Sequence, residues 1–373
     1  MDTNAIRASF DIHRAHPEVS IEKHVLSQRI KLGESVMARE RVYLDKCYWI
    51  ILRDVVLGRV SDPSSVALLS SLRDRVQSKR SICPISETVF IELLKQADLE
   101  TRRATAKLID ELCEGVTLLP HPDRVSIEIS HFLHSLGAGN SNFLPLETLV
   151  WSKLSYVLGI QHPVSQLFPE DEQRVIQKAF FDHMWQFSLT EMVDIIGSEV
   201  PPHFDFEAVA NRMNESSALN ANNIISFAQA YKAEIRGSLS LFMHVAREVL
   251  ESMGTRQSDV TAEASREEHM VEERQLLDYF CKNIRNDEVS VALRTLHIGA
   301  LCHAAVRWDK QRKLTGNDLY DFHHAEAAVG YCDVFLTERP LKTLIQQRHM
   351  KLQSNFPCRV ISAQVEAAEW AST

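Results

Sequence analysis

The stretch DLYDFHHAEAAVGYCDVFLTER, Asp318 to Arg339, decides how this chain is read. Its first half predicts a helix capped by Asn317 or Asp318. Ala325 and Ala328 follow Asp321 at four and seven residues, so all three share one helical face. Small side chains there let the helix lie close to a sheet. The second half, Val334-Phe335-Leu336, is a short apolar run ending in Thr337 and Glu338, the pattern of a buried strand. A helix that runs into a strand, with carboxylates near both, is a piece of an α/β fold. In such folds sites form at the carboxyl ends of parallel strands.

Two earlier stretches fit the same scheme. Val42-Tyr43-Leu44 reads as a strand that ends at Asp45, followed by apolar residues at helical spacing (Tyr48, Ile51, Leu52, Val55). Asp62-Pro63 caps a second helix. Ile82-Cys83-Pro84-Ile85 is another short strand, and Ser86 is placed as the N-cap of a helix to about Ala97. In that helix Glu87 and Glu92 are separated by about 140°, so both cannot point at one spot. Glu92 interrupts the apolar side of Val89, Phe90, Leu93 and Leu94, whereas Glu87 lies in the first turn, where an acid is commonplace. Glu92 is therefore the preferred candidate, with Glu87 as an auxiliary one. A further helix ends at Gly115, and Val116 to Pro120 reads as a strand or an extended edge segment.

From about residue 136 to 289 the periodicity is almost entirely helical. Gly137 to Asn142 reads as a loop and Pro201-Pro202 as a break. One helix is expected from Pro169 to Trp185, another from Ile224 to Met253, and Ser258 to Glu273 as a polar link. Strand signals return at Val334 to Leu336 and Cys358 to Ile361. The expected organisation is an N-terminal helical extension (1–40), an α/β domain in two parts (41–135 and 290–373) and a helical insertion (136–289).

Bulk properties narrow the class. The 373 residues are 45 % hydrophobic and 24 % charged, ordinary for a globular protein. No apolar run approaches the roughly 20 residues needed to span a bilayer, and the polar N-terminus does not read as a secretory signal. The seven cysteines are scattered without a CxxC pair, which fits reduced thiols and a cytoplasmic location. A net charge of −9 argues against non-specific coating of nucleic acid, but it leaves room for a local basic patch.

Asp45, Glu92 and Asp321, completed by Glu338 or Asp333, form a set suited to a hard cation. Mg²⁺ and Mn²⁺ take oxygen ligands and keep several waters. Such ions polarise a phosphate and activate water. Asp318 is an auxiliary acid, and Thr337 a possible hydrogen-bond donor to a ligand acid or to a substrate phosphate.

At these residues the chain resembles the PIN domain family of metal-dependent nucleases, which includes VapC-type toxins. The resemblance is carried by Leu44-Asp45, by Ser86 followed six residues later by Glu92-Leu93, by Asp321 opening an Ala-rich helix, and by Phe335-Leu336-Thr337-Glu338. It spans roughly 41–135 and 290–365, with Glu338 where the family usually has Asp. It implies a three-layer α/β/α domain with a central parallel sheet and Mg²⁺- or Mn²⁺-dependent endonuclease activity, on RNA rather than DNA. Partners would be nucleic acid and a regulatory protein or a second copy, but no membrane. A toxin or defence role is an expectation from the family alone.

Each acid has a competing structural role. Asp45 fits a helix N-cap, Glu92 a solvent-facing helix residue, Asp321 first-turn helix chemistry, and Glu338 or Asp333 a surface turn. His323 and His324 fit packing or hydrogen bonding better than metal ligation. The alternative function is a non-catalytic RNA- or protein-binding module on the same scaffold. No GxxxxGK[ST], GxSxG or HExxH occurs. A phosphatase with a strand followed by Asp wants a second Asp two residues on, where this chain has Cys47.

Overall fold

The computed structural model describes residues 3–137, 144–165, 167–198, 205–219, 224–255 and 266–373. The expected loop at 138–142, the Pro201-Pro202 break and residues 258–265 of the polar link lie outside them. The chain divides into two compact units: Met1–Pro120 with Glu147–Pro201 and Ala363–Thr373, and His121–Leu146 with Pro202–Ser362.

The chain begins with α1 (Thr3–Ala15), α2 (Ile21–Met37), β1 (Glu40–Leu44), α3 (Lys46–Val56), α4 (Pro63–Gln77) and β2 (Ser81–Ile82). Next come α5 (Glu87–Leu94), α6 (Leu99–Cys113), β3 (Val116–Leu118), α7 (His121–Gly137), α8 (Leu146–Leu149), β4 (Trp151–Lys153), α9 (Glu170–Met184) and α10 (Leu189–Ile196). The rest is α11 (Phe206–Leu219), α12 (Phe227–Ser240), α13 (Met243–Thr255), α14 (Arg266–Asn283), α15 (Asp287–Ala292), α16 (Arg294–Trp308) and α17 (Gly316–Tyr331). It closes with β5 (Val334–Leu336), α18 (Arg339–Ile345), α19 (Leu352–Asn355), β6 (Arg359–Ile361) and α20 (Gln364–Ser372). The class is mixed α/β, with helices dominating and short strands paired largely in parallel.

In the first unit β1 and β2 pair in parallel, Glu40 opposite Ser81 and Arg41 opposite Ile82. β3 pairs antiparallel with β4, Thr117 opposite Ser152. β4 is a strand that the helical periodicity of 136–289 does not announce, because three residues are too few to display alternation. The hairpin α1–α2 packs on α9, where Ile21, Val25, Tyr156 and Phe181 form a core with Trp185 against it. Gly33 of α2 meets the backbone of the α8 segment so closely that a Cβ would lie 1.9 Å from the Thr148 carbonyl oxygen. Gly33→Ala is therefore expected to destabilise the protein by about 1–3 kcal/mol despite alanine's better helix propensity, because backbone must move. Urea denaturation reads this out, and an unchanged midpoint would contradict the close approach.

In the second unit β5 and β6 pair in parallel, Phe335 opposite Val360. α12, α13, α14 and α7 share a core of Val125, Ile129, Ile235, Leu239, Met243 and Phe280 with Leu296 of α16. The expected helix from Ile224 to Met253 is two helices. The chain breaks at Leu241-Phe242, where the amides bond back to Ser238 and Leu239 in the tight i−3 manner. Gly237, Ser238 and Ser240 are weak helix formers just before the break. The break lets Leu239 and Met243 enter the same core. Residues 266–273, expected as a link, open α14 instead.

Candidate metal and phosphodiester site

In the first unit, β1 is a buried strand that delivers Asp45 to its carboxyl end. Asp45 is the N-cap of α3, its Oδ1 accepting the Cys47 amide at 2.9 Å. Only 5 % of Asp45 is exposed, and the same holds for Glu92. The apolar period of α5 explains why Glu92 faces inward: Val89, Phe90, Leu93 and Leu94 are buried around it, while Glu87 is half-buried in the first turn. The residue after Asp45 connects the two acids. Lys46 Nζ lies 3.3 Å from Glu92 Oε1, over a crevice of about 10 Å³ shared with Trp49 and Gln96. That space holds about one water. Lys46 is 43 % exposed in its side chain, so its ammonium can turn out to solvent.

Ser86 occupies the N-cap position of α5 but makes no side-chain cap bond. Its hydroxyl lies 2.6 Å from the Tyr43 hydroxyl instead, both buried. That bond pins the start of α5 to β1, and with it the helix that carries Glu92. α5 also ends at Leu94 rather than near Ala97.

The second unit holds the other candidates. The cap of α17 is Thr315, not Asn317 or Asp318, and Asp318 is the third residue of a reciprocal capping box. Its Oδ2 accepts the Thr315 amide and hydroxyl, and Arg312 ion-pairs with its Oδ1. Asp318 thus works in the helix cap. Asp321 falls in the second turn and is half-buried; there the field of the helix end has largely decayed. Ala325 and Ala328 are fully buried on its face, as expected.

Asp333 precedes β5, and Thr337 and Glu338 follow it. Extended chain places these ends roughly 15 Å apart. Only Thr337 and Glu338 therefore lie at the strand's carboxyl end. Glu338 is exposed at the N-cap position of α18 without capping it. Thr337 is fully buried, its amide bonded to Ile361, and its hydroxyl finds no hydrogen-bond partner among the described residues.

One group escaped the sequence reading. His323 Nδ1 lies 3.0 Å and His121 Nε2 3.6 Å from Oε2 of Glu326, a nearly fully buried carboxylate of α17. Burial pushes that carboxyl up, but His323, His121 and Arg124 outweigh it and hold it at about 2. A Cβ at Gly299 would meet Glu326 Oε1 at 2.1 Å, so α16 leaves space for this side chain. The His323-x-x-Glu326 spacing was visible in the sequence, but His121 lies 202 residues before His323 and gave no signal.

Comparison of the chain with protein-family models, with curated proteins and with solved structures finds no match. Among the described residues no helix is long and apolar enough to cross a membrane.

Proposed function

We propose that the protein is a metal-dependent nuclease, acting on RNA rather than DNA, with a PIN-like three-layer arrangement of its α/β parts. The observation that carries the reading is the contact of Lys46 with Glu92, which ties α5 to the residue after Asp45. Asp45 and Glu92 are both buried and come from different elements. The order and spacing of the four sequence stretches support the same reading. Buried carboxylates with no sulfur ligand suit Mg²⁺ or Mn²⁺. Asp45 and Glu92 would hold the ion; Asp321 and Glu338, which the resemblance adds to the set, belong to the other unit. When bound, such an ion supplies charge for the phosphate and a more acidic water. Lys46 neutralises Glu92, and with an ion held there its ammonium would be free to face a phosphate.

The direct experiment is cleavage of labelled RNA and DNA with Mn²⁺, Mg²⁺ or EDTA. Metal-dependent cleavage of RNA that EDTA stops is expected. No cleavage of either polymer with either ion, together with RNA retention on a filter, would turn the reading to the non-catalytic binding module.

Thr337 offers a sharper probe. A hydroxyl without a partner contributes little to folding, so Thr337→Val is expected to change stability by less than about 1 kcal/mol. If the hydroxyl serves a ligand acid or the substrate phosphate, cleavage falls about 10-fold, the worth of one neutral hydrogen bond. Unchanged cleavage would remove Thr337 from the site.

A further inference from the structure

Three helices of the first unit, none of which carries an acid used above, bring two imidazoles and a carboxylate together. His13 of α1 and His24 of α2 point their Nε2 atoms at Asp182 of α9, 2.7 Å from Oδ2 and 2.6 Å from Oδ1. The rings meet edge to face with centroids 4.8 Å apart. The three ligating atoms all lie within 4.8 Å of one another. His13 is 7 % and His24 14 % exposed in the side chain, while Asp182, at 28 %, remains open to one side. We infer that His13, His24 and Asp182 form a binding site for a transition-metal ion of the zinc class, with a fourth position left to water or a small ligand.

The donor set is the first argument. Two imidazole nitrogens and one carboxylate oxygen suit zinc, and three protein ligands with one open place are the mark of a reactive rather than a purely structural zinc site.

The outer contacts are the second argument. Ser9 Oγ donates to Asp182 Oδ2 at 2.7 Å, the kind of bond that orients a ligating carboxylate. Lys178, one turn earlier on α9, spends its ammonium on the carbonyls of His16 and Val19 at 3.0 and 2.9 Å. It thereby fixes the α1–α2 turn without bonding Asp182.

The third argument is an unexplained polar group. The Tyr156 hydroxyl is buried without a hydrogen-bond partner among the described residues, on a residue 3 % exposed that stacks on Phe181, the neighbour of Asp182. Burial raises its pKa, and the Asp182 charge adds to the rise, so the two groups sense each other. A water held by an ion would give that hydroxyl a partner.

Access is the fourth. Ser9 and Asp182 line a groove of about 800 Å³ walled by Ile6, Ile12, Trp185 and Phe187. An ion and a small ligand can reach the carboxylate from there. The histidine–carboxylate group at Glu326 is the weaker candidate, because that carboxylate is nearly fully buried, whereas Asp182 is open to one side.

The full chain, stripped of metal by a chelator and titrated with Zn²⁺ by calorimetry, tests the site. One Zn²⁺ per chain with a micromolar or tighter Kd is expected. His13→Gln and His24→Gln should weaken it by at least about 100-fold, beyond what loss of an outer partner costs. Asp45→Asn and Glu326→Gln should leave it unchanged, which separates this ion from the nuclease metal and from the Glu326 group. Co²⁺ supplies a second readout: four-coordinate Co²⁺ absorbs strongly in the visible, and His24→Cys should add a thiolate-to-metal charge-transfer band. That variant keeps a ligand, so its spectrum decides even where the glutamine variants fail to fold. Bound Co²⁺ without the band, Zn²⁺ binding that survives both histidine variants, or no binding tighter than millimolar would each overturn the site. The last outcome would leave Asp182 as a hydrogen-bonding clamp on the α1–α2 hairpin.

Discussion

Asp45→Asn is expected to lower Mn²⁺-dependent RNA cleavage by more than about 100-fold while leaving the folded protein intact. The size follows from the role: outer partners of metal ligands typically contribute about 10–100-fold, and a ligand itself contributes more. The choice of asparagine matters because Asp45 does two things. It caps α3 by accepting the Cys47 amide. Asn caps about as well as Asp, so the amide bond survives and only the charge is lost. Asp45→Ala would mix loss of the cap, about 1 kcal/mol, with loss of the ligand. Thermal melts of wild type and Asp45→Asn with EDTA should then coincide, and cleavage should not. Equal cleavage by the two proteins would sink the nuclease reading at its central residue.

The second large effect concerns stability and lies in the second unit. Glu128 of α7 is fully buried and accepts the Thr295 amide, the Thr295 hydroxyl and the Tyr331 hydroxyl. Burial pushes its carboxyl up; the bonds from Thr295 and Tyr331 and the Arg294 charge offset part of that, leaving it at about 7 against an ordinary 4.5. The folded state therefore holds this proton more tightly than the unfolded chain. Its contribution to stability is complete below pH 4.5 and is lost as the pH rises through about 7. A rise from 4.5 to about 7 corresponds to about 3 kcal/mol. Glu128→Gln keeps an acceptor without the titration, so its stability should fall by about 3 kcal/mol less than the wild type's between pH 4.5 and 8. Glu128→Ala strands the Tyr331 and Thr295 donors and leaves a cavity, at a cost of roughly 3–5 kcal/mol. Urea midpoints at several pH values measure both. Parallel profiles for wild type and Glu128→Gln would show that Glu128 does not titrate in this window.

Much of the local structure was legible because it depends on neighbours in sequence. Asp62-Pro63 caps α4 as read, and Gly115, at φ +76°, follows the end of α6. The inward side of α5 follows from a 3.6-residue period, and Glu92 is buried for that reason. Some of the errors were also local, and two of them are competitions between hydrogen-bond partners. Thr315, Asn317 and Asp318 could all cap α17, and the reciprocal bond of Thr315 with Asp318 wins because it satisfies two orphan donors at once. Ser86 could cap α5, but the Tyr43 hydroxyl claims it. A helix from Ile224 to Met253 satisfied periodicity, yet the chain breaks into two helices that place Ile235, Leu239, Met243 and Ala246 in one core.

The amino-acid sequence by itself settled most of the helices, the strands β1, β5 and β6, and the inward face of Glu92, since these follow from short-range periodicity and backbone chemistry. Tertiary structure alone decided which polar side chains meet. Lys46 reaches Glu92 across 46 positions, Tyr331 reaches Glu128 across 203, and His13 reaches Asp182 across 169. Separations of that kind leave no periodic trace, because a polar group taken out of water accepts whichever partner the packing of apolar faces delivers.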